Sequence, residues 1–238
     1  MTAPFGTTAW MRKTSSFTLA AHACLGKASA IVFDLDGTLV DTLPDLVMAL
    51  NDALLDCGYA PVPDALVRDS LHGGLAETAA AALAMQAVAG PGTKALLENY
   101  RAHYRRQAHA RSVMYPAVRE VLQSCWRSGQ PMAVCTNKTA DEAVLLLRLF
   151  QLKGFFPCVV AGDTAEHPKP HPAPLLLALQ QLGAKPSEAV MVGDSHVDAM
   201  CAASVGVPFV LHTSGYGGNE VLNHPVAARF ARYSELLS

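Results

Sequence analysis

Two carboxylates stand two residues apart, Asp34 and Asp36, directly after the apolar run Ile31-Val32-Phe33. If that run is a buried strand, both side chains can face one site where the strand stops. Gly37 beside them permits a turn and a close approach of main-chain N–H groups to an anion. The chemistry this suggests is work on an anion by paired carboxylates. A lone aspartate at a strand end more often caps a helix or closes a turn. Here the whole string Asp34-Leu35-Asp36-Gly37-Thr38-Leu39-Val40-Asp41 follows the strand, and it has company elsewhere.

That company sits at the ends of other apolar runs. Residues 132–135, 158–161, 189–192 and 209–211 read as buried strands, closed by Thr136-Asn137, Gly162-Asp163, Gly193-Asp194 and His212. Between them, residues 117–127, 140–150, 173–182 and 197–203 carry helical spacing. Strand and helix in alternation predict βαβ units and a parallel sheet covered on both faces. Such sheets bind ligands at the carboxyl ends of their strands, so residues far apart in sequence gather at one edge.

The interval 44–113 differs. It has helical patterns at 45–57, 75–88 and 94–109, no convincing strand, and too much length for a plain crossover. The expected fold is therefore an α/β, doubly wound parallel-sheet core formed by 28–42 and 114–238. A helical cap, 43–113, is inserted after the first strand.

Four motifs in order carry a resemblance: Asp34 to Thr38, then Thr136-Asn137, then Lys169 in Lys169-Pro170-His171-Pro172, then Gly193-Asp194-Ser195 with Asp198. From about Ala28 onward the chain resembles the haloacid dehalogenase phosphatases, whose DxDGT motif Asp34 to Thr38 matches. The resemblance implies that Asp34 attacks phosphorus and becomes an aspartyl phosphate, which splits a difficult hydrolysis into two steps. Asp36 is then the acid that protonates the leaving group and the base that activates water. Thr136 and Asn137 would hold the phosphoryl group, as would main-chain N–H groups at Gly37, with Lys169 as a fixed positive charge. Asp34, Asp194 and the carbonyl of Asp36 make an oxygen-only site suited to Mg²⁺, with Asp198 supporting it. Gly74 matches a glycine of the family's cap loop that closes over substrate, while His72 stands where glycine is common.

The segments Ala161-Gly162-Asp163-Thr164 and His167 to Leu176, with Thr136-Asn137-Lys138, look most like 2-phosphoglycolate phosphatases. N-acetylmuramic acid 6-phosphate phosphatases, sugar-phosphate hydrolases, pyrophosphatases and phosphomutases would share the same machinery. A dehalogenase would need neither Asp36 nor Mg²⁺. A catalytically silent binding protein on this fold would have lost a motif residue. A receiver domain would carry its phosphoacceptor after the third strand and lack the long insert.

Composition agrees with a small-molecule enzyme. The 238 residues are 51% hydrophobic and carry a net charge of −2, without the basic excess a nucleic-acid partner would call for. Partners are expected to be a small phosphorylated metabolite and at most a second copy, as monomer or homodimer. The six cysteines are scattered singly, with no zinc spacing, which predicts a reducing, cytoplasmic setting. No apolar run approaches the ~20 residues that cross a bilayer. Residues 11–30 imitate a signal peptide, but His22 breaks the apolar stretch and cleavage after Ala30 would halve the first strand. Residues 1–27 are therefore expected to be a disordered extension, or the start to have been assigned upstream of a true one at Met11.

Other features are expected to be peripheral. The basic stretch Arg101, His103, Arg105, Arg106, His109 and Arg111 reads as a solvated helix face. Gly215-Tyr216-Gly217-Gly218 reads equally as a rim of the site or a flexible connector.

Overall fold

The computed structural model describes residues 20–71, 74–87 and 90–237. Its centre is a six-stranded sheet in the order β5-β4-β1-β6-β7-β8. The strands are β1 (Ala30–Phe33), β4 (Met132–Cys135), β5 (Cys158–Val160), β6 (Ala189–Gly193), β7 (Phe209–His212) and β8 (Ala228–Phe230). All neighbours pair in parallel. The chain runs outward from β1 through β4 to β5, then crosses back to β6 on the other side. β1 therefore flanks the point where the winding reverses, and its carboxyl end opens on the crevice.

Strand alternation explains why the runs are apolar throughout. Ile31 and Phe33 join the core on one face with Val121, Leu122, Val134 and Leu146. Ala30 and Val32 join the other with Leu175, Leu179, Met191 and Ala202. Helices α5 (Val118–Arg127) and α6 (Ala140–Leu149) supply the first face; α7 (Ala173–Leu182) and α8 (His196–Val205) supply the second. Polar groups are thereby driven to the strand ends, since a polar side chain mid-strand would be buried without water.

Between the short strands β2 (Val40–Asp41) and β3 (Val113–Met114) lie four helices. They are α1 (Leu43–Asp56), α2 (Asp64–Ser70), α3 (Leu75–Ala84) and α4 (Gly92–Gln107). β2 and β3 pair antiparallel as a stem, Val40 opposite Met114 and Asp41 opposite Val113. The helices have their own apolar cluster, built on Leu46, Leu50, Leu54, Leu96, Tyr100 and Tyr104. Helix α2 has one buried residue, Val67, so no periodicity announced it. Strand β8 is only Ala-Arg-Phe at a sheet edge and was equally silent. Among the described residues no helix is long and apolar enough to cross a membrane.

One expectation needs correction. Residues 20–27, assigned above to a disordered extension, are helical, and Ala21 and Leu25 belong to the main core. Polar bonds tie this segment down: Gln130 Nε2 donates to the carbonyls of Leu25 and Ala28 at 2.7 Å each, and His22 Nδ1 to the Leu236 carbonyl at 2.9 Å. The broken apolar pattern arises because only one side of the segment is buried. Residues 1–19 lie outside the described part. Leu25→Ala should therefore lower stability by ~2–4 kcal/mol, the usual cost of truncating a buried leucine. A urea midpoint equal to that of the parent chain would contradict this docking.

Candidate active site

The strand-end residues converge on a cavity of about 320 Å³ between sheet and cap. Asp34, Asp36, Thr136, Asn137, Lys138, Lys169 and Asp194 line it from the core. Leu46, Leu50, Val67, Gly74, Tyr100, Arg101 and Tyr104 line it from the cap.

Lys169 stands at its centre. Its Nζ donates to Asp34 Oδ1 and to Asp198 Oδ1, both at 2.7 Å. All three residues are buried. The lysine is placed by Asn137, whose amide donates to the Lys169 carbonyl at 2.9 Å and accepts the Lys169 N–H at 2.8 Å. Asn137 thus works on the backbone that carries the cation. Its own backbone is held close to β5, since a Cβ on Gly162 would crowd the Asn137 carbonyl at 2.5 Å.

Asp198 is fixed from its own helix. Ser195 and Asp198 form a capping box at the start of α8, and Asp198 Oδ2 accepts the Ser195 hydroxyl at 2.6 Å and its N–H at 3.1 Å. Asp194 accepts the Thr38 hydroxyl at 2.9 Å on one oxygen and the Tyr216 N–H at 2.7 Å on the other. Gly37 contributes through its shape: at φ +78° it turns the chain, and a Cβ there would press on Asp194 Oδ2 at 2.5 Å. Its N–H donates to the Val40 carbonyl at 2.8 Å, and it does not line the cavity.

Asp36 lies on the cap side. Its Oδ1 accepts the Thr42 hydroxyl at 2.6 Å and Lys138 Nζ at 3.0 Å. Lys138 also donates to the Tyr104 hydroxyl at 2.9 Å and sits 5.0 Å from the centre of that ring. Burial alone would push this ammonium down, but Asp36 and Tyr104 outweigh it and hold its pKa well above the ordinary lysine value. Lys138 is thus a bridge from the core to α4 that motif reading did not single out. Its position directly after Thr136-Asn137 at a strand end was the available signal.

Gly74 opens α3 at φ +85° and lines the cavity; His72 and Gly73 lie outside the described residues. The basic stretch divides. Arg101 reaches the cavity, His103 pairs with Asp56 at 2.7 Å, and His109 is buried against the Tyr104 hydroxyl at 3.3 Å.

Charge decides what the site can hold. Asp34, Asp194 and Asp198 bring ligand oxygens within 4.8 Å of one another, all buried. Among the described residues one ammonium, Lys169, bonds to this group. Burial, against the pull of Lys169, raises Asp34 from 3.8 to about 7, and burial with Asp198 and Asp34 raises Asp194 well above the carboxylate range. Burial would lower Lys169, yet Asp198 and Asp34 hold it well above its ordinary value. An oxygen-only set with surplus negative charge fits a hard divalent cation such as Mg²⁺. Asp198 Oδ1 is taken by the Lys169 ammonium and its Oδ2 by two bonds from Ser195, whereas each Asp194 oxygen accepts one neutral donor, so Asp34 and Asp194 are the carboxylates that would hold the ion.

Known proteins resemble the chain over most of its length. Residues 31–212 match the family model of haloacid dehalogenase-like hydrolases. A phosphoglycolate phosphatase of Rhodospirillum rubrum is 36% identical over 213 residues, 87% of this chain and 88% of the relative. One from Caulobacter vibrioides is 39% identical over 193 residues, 79% of this chain and 80% of the relative. A crystal structure described as a predicted phosphoglycolate phosphatase from Haemophilus somnus superposes with a TM-score of 0.79 at 29% identity, covering 89% of this chain and 97% of the other. The chain belongs to the haloacid dehalogenase-like hydrolases.

The charge surplus makes a measurable demand. A carboxyl whose folded pKa lies above its unfolded value leaves the folded state with more bound protons, so stability falls as pH rises through that window. With divalent ions chelated, the melting temperature should fall between about pH 4 and 7, the interval set by Asp34. Adding Mg²⁺ should recover more stability at pH 8 than at pH 5. A Mg²⁺ response that is flat with pH would remove these carboxylates as its site.

Proposed function

We propose that this enzyme, a phosphatase, hydrolyses small phosphate monoesters that carry a second anionic group, with 2-phosphoglycolate as the best candidate. The observation that carries the reading is Asp34 Oδ1 fixed 2.7 Å from the buried Lys169 ammonium, in a cavity that also holds Asp36 and Thr136. Mg²⁺, held by Asp34, Asp194 and the Asp36 carbonyl, would neutralise phosphate charge and keep Asp34 ionised.

The chemistry then follows from the chain's own groups. An Asp34 oxygen attacks phosphorus, the P–O bond to the alcohol breaks, and the Asp36 carboxyl gives its proton to the departing oxygen. Water next attacks the aspartyl phosphate, passes a proton to Asp36, and releases phosphate as Asp34 is regenerated. Lys169 and the Thr136 hydroxyl stabilise the charge on the transferring group. The cap excludes bulk water, which strengthens these interactions.

Size and charge support the substrate. About 320 Å³ is at the small end of ligand cavities. Lys138 and Arg101 add two cations to its wall besides Lys169, and in this reading they meet the substrate's carboxylate. The relatives named phosphoglycolate phosphatase point the same way.

Phosphate release from 2-phosphoglycolate, N-acetylmuramic acid 6-phosphate, sugar phosphates and pyrophosphate, with and without Mg²⁺, tests the reading. Release is expected to favour phosphoglycolate, to need the metal, and to vanish in Asp34→Asn. Release from none of them would sink the reading. Lys138→Met should raise the KM for phosphoglycolate roughly tenfold or more, because a hydrogen bond to a charged group contributes ~1.5–3 kcal/mol. An unchanged KM would put the carboxylate elsewhere.

A further inference from the structure

The glycine-rich loop after β7 is packed against the site. A Cβ on Gly215 would collide with the Asp194 side chain and the Gly37 carbonyl, and one on Gly217 with the Asp194 carbonyl. Between them, Tyr216 gives its N–H to Asp194 Oδ2 at 2.7 Å. Its ring leaves the core and joins the apolar cluster of the cap.

The phenol ends where the cap begins. It donates to Asp41 Oδ1 at 2.8 Å and accepts the N–H groups of Thr42, at 2.5 Å, and Leu43, at 2.9 Å. These are the N-cap and first residue of α1. A threonine at an N-cap ordinarily turns its hydroxyl onto the helix's own free N–H groups. Thr42 makes no such bond. Its hydroxyl goes to Asp36 Oδ1 at 2.6 Å instead, and the phenol takes over the helix start. Pro44, which follows, has no N–H to satisfy.

We propose that Tyr216 is a positioning residue for proton transfer. Its phenol pins the Thr42–Leu43 backbone so that the Thr42 hydroxyl holds Asp36 toward the leaving oxygen. This rests on the phosphatase reading, in which Asp36 protonates the departing group.

Tyr216→Phe keeps the ring and the N–H bond to Asp194 while removing the phenol's hydrogen bonds to Asp41, Thr42 and Leu43. Its kcat/KM should be measured on 2-phosphoglycolate, whose alkoxide needs a proton, and on p-nitrophenyl phosphate, whose phenolate does not. This ratio reports only the transfer to Asp34, so hydrolysis of the shared intermediate does not enter. The alkyl ester should slow about tenfold or more and the aryl ester less than about twofold, as expected for a displaced general acid. Mg²⁺ affinity by calorimetry should hold within about twofold, since the Asp194 contact persists.

Thr42→Val should repeat the selective loss, Thr42→Ser should rescue it, and the double variant with Tyr216→Phe should lose less than the product of the two. Equal slowing of both esters, or of neither, in Tyr216→Phe and Thr42→Val overturns the inference. Parent enzyme inactive on both esters would instead overturn the phosphatase reading on which it rests.

Discussion

One ammonium among three buried carboxylates governs this structure. Lys169 reaches Asp34 and Asp198 at 2.7 Å, while Asp194 lies in the same cluster with no lysine bonded to it among the described residues. Buried charges persist only when paired and hydrogen-bonded, so each partner here is held from behind. Asn137 clamps the backbone of the lysine. Ser195 satisfies the far oxygen of Asp198, and Thr38 with the Tyr216 N–H satisfies Asp194. The segments that follow β1, β4, β5, β6 and β7 must meet for this to occur. A parallel sheet whose strands are apolar on both faces delivers them all to one edge.

The cap solves the complementary problem. Its helices bring mostly apolar side chains over the charged floor, but Lys138 and Tyr104 cross the boundary with polar contacts. Asp36 stands at that boundary, bound on one side by the stem through Thr42 and on the other by Lys138. The two carboxylates of the DxD pair thus have different surroundings: Asp34 lies in the buried acidic cluster beside Lys169, and Asp36 lies at the boundary with the cap. Two carboxyl groups that share a motif can then perform different tasks, because environment and not residue type sets each one's role.

The sheet was legible because periodicity and strand-end polarity are local signals. The strand carrying Asp34, the strand before Thr136 and the helix opened by Ser195 could be read from short windows of sequence. Local windows fail where burial is set by distant partners. Residues 20–27 look broken in sequence, yet Ala21 and Leu25 complete a core built by segments a hundred residues away. Asp45 reads as an ordinary first-turn acid, but it is fully buried and accepts the N–H of Arg111 and the hydroxyl of Ser112. It thereby ties the two ends of the cap together across the stem. Lys138 and Tyr216 likewise gain meaning only from what the fold sets against them.

Tyr216 also bears on how cap and cation site relate. The same residue contacts Asp194 through its main chain and the start of α1 through its side chain. Gly215 and Gly217 pack so closely on Asp194 that a Cβ on either would overlap its side chain or its carbonyl. A displacement of the start of α1 would therefore either break the phenol contacts or be felt at the carboxylate. Hydrogen bonds to a phenol are far cheaper to exchange than a backbone wedged against a buried charge. Of the two contacts by which this residue joins cap and carboxylate, the phenol's is thus the weaker.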